Sequence, residues 1–130
     1  MKDVYSYTRY SKYLRDLVDD EGAATTVTEL AKVAEVQRPY MSNVLAERSQ
    51  LSSEQAFRIA RALHFNEDEQ TYFLNMVEID RAASAEYKIH LQKKNDVLKK
   101  EASRLENKLQ RTATRLDPDL TAEYFSTWEF

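Results

Sequence analysis

The chain has 130 residues, with 19 Lys and Arg against 22 Asp and Glu, a net charge of −3 and 32% charged residues. That length holds one ordinary domain plus an appendage, enough to bury a core, and leaves no room for a second full domain. The absence of cysteine excludes disulfides and thiolate metal sites, and the lack of a long apolar run excludes a membrane-spanning helix.

The opening MKDVYSYTRY lacks the apolar block of a signal peptide, so a cytoplasmic location is expected. Only Gly22, Pro39 and Pro118 interrupt the chain, and apolar residues recur at helical spacing over long segments. The expected fold is all-α: a five-helix bundle over residues 1–80, one long basic helix over 81–116, and a short aromatic segment over 117–130. The charge is segregated. Residues 1–65 are balanced, 66–80 are acidic, 81–115 carry ten bases against four acids, and 116–130 are acidic. A nucleic-acid-binding surface needs a local positive face rather than a basic chain, and only 81–115 is basic in bulk.

In chain order, Tyr10, Tyr13, Leu14, Leu17 and Val18 share one face of a first helix that Thr8 caps and Gly22 ends. Thr26 and Glu29 form a capping-box pattern that opens a second helix over Val27 to Ala34, with Leu30, Ala31 and Ala34 inward. Pro39 belongs in a first turn, so a third helix starts at Arg38 or Pro39 and buries Met41, Val44 and Leu45 before ending near Ala46. Ser52 with Gln55 opens a fourth helix, and Asn66 with Glu69 a fifth whose buried stripe is Tyr72, Phe73, Met76 and Val77.

From Arg81 to Leu116 no proline or glycine intervenes, and Leu91, Leu98 and Leu105 alternate with Asn95, Ala102 and Leu109 in a heptad pattern. Those six residues are the expected dimerisation seam of a coiled coil, with Asn95 fixing its register. A helix folded back on its own bundle is the alternative. Lys93, Lys94, Lys99, Lys100, Arg104, Lys108 and Arg111 make a solvated face or flanking phosphate contacts. Asp117 and Pro118 end the helix, and a last one over Asp119 to Thr127 carries Leu120, Tyr124, Phe125 and Trp128.

The stretch TVTELAKVAEVQRPYMSNVLAERSQLSSEQAFRIARALHF is similar to the Cro and phage-repressor class of helix-turn-helix DNA-binding proteins, the xenobiotic-response-element type. More widely, YSYTRYSKYLRDLVDDE ahead of that stretch resembles the N-terminal half of a bacterial regulator family whose larger, uncharacterised C-terminal domain begins near a segment like YFSTW. The resemblance implies a recognition helix with Gln37, Arg38, Tyr40, Ser42 and Asn43 on its solvent side. Arg38 suits guanine and Asn43 adenine, and the other three suit phosphates or base edges. Glu35 and His64 stand where that class carries glycine, so both turns must do without the residue that relaxes positive φ. Pro39 stands where the class often has a polar reading residue.

The function expected from this resemblance is a sequence-specific, double-stranded-DNA-binding transcriptional regulator, repressor-like, acting as a homodimer on an inverted repeat. The alternative is a protein-interaction adaptor or antirepressor, which the balanced charge of residues 1–65 favours. No cofactor and no catalysis are expected. His64 and His90 lie on different helices, with neither a phosphate loop nor metal-ligand spacing.

Overall fold

A computed structural model of the chain describes residues 3–19 and 25–115. The described residues form helices and no strands: a 3-10 turn at Val4–Ser6, then α1 (Tyr10–Asp19), α2 (Val27–Ala34), α3 (Arg38–Leu45), α4 (Ser53–Ala62), α5 (Glu67–Arg81) and α6 (Ala85–Arg115). The expected Gly22 stop and the last helix near Asp119 lie outside the described residues.

The helix starts follow from local chemistry. The hydroxyls of Thr26 and Ser52 and the Asn66 amide oxygen each accept the amide of the residue three positions on, relieving one orphan donor of the first turn. At Ser52 and Asn66 the Gln55 and Glu69 side chains complete the reciprocal box. At Thr26 the box is half-made, because the Glu29 carboxylate accepts from the Thr25 hydroxyl instead. α1 begins at Tyr10, later than a Thr8 cap would set it.

The helix ends are less ordinary. Among the described residues, three non-glycine residues occupy the left-handed region: Glu35 (φ 61°), Glu47 (φ 64°) and His64 (φ 61°). Each lies one or two residues past a helix end, its amide bonding back three residues while the next amide bonds back five, as in Val36 to Ala31, Arg48 to Asn43 and Phe65 to Ala60. This is the Schellman closure, usually built on glycine and built here three times without it.

Residues Met1–Leu98 form one unit and Lys99–Phe130 a second. The core of the first unites Tyr10, Tyr13, Leu14 and Leu17 of α1 with Met41 and Val44 of α3, Ile59 of α4 and Phe73 and Val77 of α5. Tyr13, Phe65 and Phe73 meet in a tilted and edge-on aromatic cluster at 5.8–6.3 Å between centroids.

The helix expected to start at Arg81 begins at Ala85. α5 ends at Arg81, Ala82 is extended, and the Ser84 hydroxyl caps α6 by accepting the Tyr87 amide. The first part of α6 returns to the bundle. Leu91 and Asn95 are buried, and Leu98 is partly so against the core. Asn95, expected as a register-fixing residue between two chains, is instead satisfied inside its own: it accepts from Asn75 at 2.9 Å and donates to the Tyr72 carbonyl at 3.2 Å. The heptad stripe continues with half-buried Ala102 and with Leu105 and Leu109, which are 44% and 65% exposed.

Candidate nucleic-acid interface

α3 is short, and its position is set by what holds its two ends. At its start the turn Glu35 to Gln37 leaves α2 through the left-handed Glu35, and Val36 tucks partly against the core. Gln37 is the extended residue before the helix, and its side chain makes no capping bond. With Pro39 lacking an amide hydrogen, the first turn of α3 leaves few backbone donors for Gln37 to have capped.

At its end α3 is tied to α1. The Arg15 side chain donates to the Leu45 carbonyl at 3.2 Å, placing a cation at the negative end of the helix dipole. The buried Ser11 hydroxyl donates to Glu47 at 2.8 Å, and Arg9 pairs with the same carboxylate at 3.2 Å. The following loop is fastened from two further sides: the Tyr10 hydroxyl accepts the Leu51 amide, Arg81 donates to the Leu51 carbonyl, and Gln50 donates to the Asp80 carbonyl. The end of α3 is thus carried by a backbone with little freedom to shift.

Met41, Val44 and Leu45 face inward, so the outward face consists of Arg38, Pro39, Ser42 and Ala46, with Asn43 at its border. Of the five residues expected to touch DNA, Gln37, Arg38 and Ser42 are exposed and Asn43 is half-buried. Tyr40 is different. Its hydroxyl donates to the Gln50 carbonyl, and its ring is 37% exposed, so it braces the loop behind α3 and has only ring surface to offer. Gln37 and Arg38 stand at the start of the helix, and Ser42 and Asn43 one turn on.

The charges around this face are arranged in a way the sequence did not disclose. The two acids that bracket α3 are both paired: Glu35 with Arg58 of α4 at 3.2 Å, and Glu47 with Arg9 of α1. Arg58 also takes Glu54 at 2.9 Å. Lys32, Arg38 and Arg48, by contrast, are exposed and make no ion pair among the described residues. Exposed pairs of this kind contribute about 0–1 kcal/mol to stability, so their main effect here is on the local field. Lys32 stands in the last turn of α2 and Arg48 three residues after α3, outside the stretch Gln37 to Asn43 that was expected to touch DNA.

The six seam residues share one face of α6 but differ in what covers them. Leu91 and Asn95 are spent on the bundle, Leu98 partly so, and Ala102, Leu105 and Leu109 continue beyond it. Among the described residues no group of acids and histidines has the arrangement of a metal site, and no helix is long and apolar enough to cross a membrane. His64 occupies its turn, and His90 stacks on Tyr87 at 6.3 Å. No family model matches the chain, and neither a curated protein nor a solved structure matches it.

Proposed function

We propose that the chain is a sequence-specific, double-stranded-DNA-binding transcriptional regulator that acts as a homodimer on an inverted-repeat site. The observation that carries this reading is the outward face of α3. It carries Arg38 and Ser42, is tied at its C-terminal end to α1, is bracketed by acids that arginines pair, and is accompanied by exposed Lys32 in the last turn of α2 and exposed Arg48 after the helix. In the helix-turn-helix reading α3 enters the major groove, Arg38 forms a bidentate bond to guanine and Asn43 pairs with adenine, while Lys32 and Arg48 approach phosphates. Two copies then read half-sites related by the dimer axis.

Selection of bound duplexes from a random pool tests this directly. Enrichment of an inverted repeat, lost in Arg38→Ala, supports the reading, and a pool that stays random overturns it. The balanced charge of the first 65 residues and the sharing of Arg58 between two acids favour the second reading, a protein-interaction adaptor. Under that reading no duplex is bound at any salt concentration.

A further inference from the structure

The stripe of α6 beyond the bundle has a direction written into its charges. With Asn95 spent on Asn75 and Tyr72, the residues left for a partner are Ala102, Leu105 and Leu109. The spacing places Asn95, Ala102 and Leu109 at heptad position a and Leu98 and Leu105 at d, which puts Lys99 and Glu106 at e and Lys94, Glu101 and Lys108 at g.

In a parallel pair, each g residue meets the e residue five positions on in the other chain. That sets Glu101 against Glu106 and Lys94 against Lys99, like charges in both cases and twice over by symmetry. It also aligns Asn95 with Asn95, which is the residue the chain has already satisfied internally. In an antiparallel pair, e meets e and g meets g. With Leu105 laid over Ala102 of the second copy, Lys99 faces Glu106 and Glu101 faces Lys108. The same register seats a large side chain against a small one in both central layers, as close packing requires. Arg104 already holds Glu101 within its own chain at 2.6 Å, so Lys99 with Glu106 is the sharper discriminator.

We infer that α6 pairs with a second copy of this chain in antiparallel orientation, Leu105 against Ala102 and Lys99 against Glu106. The two bundles then enter the pair from opposite ends. This rests on the homodimer part of the proposed function and does not depend on DNA binding.

The two orientations predict opposite signs. Sedimentation equilibrium of the full chain at low salt is compared with Lys99→Glu, Glu106→Lys and the double exchange. Antiparallel pairing predicts that each single reversal weakens the dimer roughly threefold to tenfold and that the exchange restores it. Strengthening by either single reversal makes the pair parallel and overturns the inference while leaving the homodimer intact. A wild-type monomer at tens of micromolar overturns both. Because the chain has no cysteine, a nitroxide at Lys93→Cys gives an independent reading. Antiparallel pairing in this register separates the two labels by about 30 Å or more along the helices, whereas parallel pairing sets them level.

Discussion

Glu35, Glu47 and His64 show how single residues set the ends of α2, α3 and α4. A side chain with a Cβ in the left-handed region costs roughly 1–2 kcal/mol relative to its usual conformation, a cost glycine does not carry. His64→Gly and Glu35→Gly are therefore expected to stabilise the protein by about 1 kcal/mol each, read as a higher urea midpoint at unchanged slope. Glu35→Gly gains slightly less, since it releases Arg58. Glu47→Gly is the exception. It strips the buried Ser11 hydroxyl of its acceptor and Arg9 of a partner, so it is expected to give no gain or a loss. Equal stabilisation by all three would contradict the role assigned to Glu47. The need for non-glycine turns at Glu35 and His64 was legible from the resemblance alone. The turn at Glu47 was not, because Ala-Glu-Arg contains none of the residues that announce one.

At the scale of elements, the starts of α2, α3, α4 and α5 were legible because Thr26, Pro39, Ser52 and Asn66 each perform a specific local task, and the same residues perform it in the structure. The break between α5 and α6 was not legible, since Ala82, Ala83 and Ser84 are tolerated inside helices and only packing decides against them. The destination of the heptad stripe was hidden for a related reason: Leu91 and Asn95 show the same spacing whether their partner is the same chain or another. In the folded chain Asn95 bonds to Tyr72 and Asn75 of α5. Asn95→Ala removes both bonds and is expected to cost about 1–3 kcal/mol. Hydrogen exchange is expected to quicken in residues 88–98 of α6 while α4 stays protected. Unchanged exchange there would mean that Asn95 does not hold α6 to α5.

For the whole molecule, four tyrosines on the α1–α5 side of the bundle tie folding to alkaline pH. Burial, reinforced by Glu69 and Asp68, pushes the Tyr5 phenol up to about 12, and burial raises Tyr10, Tyr13 and Tyr72 as well. A phenol raised in the folded state binds its proton more tightly there than when unfolded. Its contribution is thus complete below pH 10 and is lost as pH rises through the folded value. The bundle is expected to hold its stability up to about pH 10 and lose it steeply toward pH 12, with tyrosinate absorbance rising together with loss of helicity. Absorbance that completes its rise while helicity is intact would contradict the burial of these hydroxyls.

The proposed DNA binding belongs to the same scale, because a chain of net charge −3 would hold a duplex only through a local field, such as that of exposed Lys32, Arg38 and Arg48. The most direct measurement is equilibrium binding of a pool-selected duplex at several salt concentrations, for the protein and for Arg38→Ala and Lys32→Ala. For the unaltered protein, log K is predicted to fall steeply and linearly with log salt. Lys32→Ala flattens the slope by about one for each phosphate that is no longer neutralised, whichever sequence is bound. Arg38→Ala is predicted to cost about 1 to 3 kcal/mol per half-site and to relax preference at one base pair. Binding that is absent at every salt concentration, or that both variants leave unchanged, would contradict α3 as the reading helix.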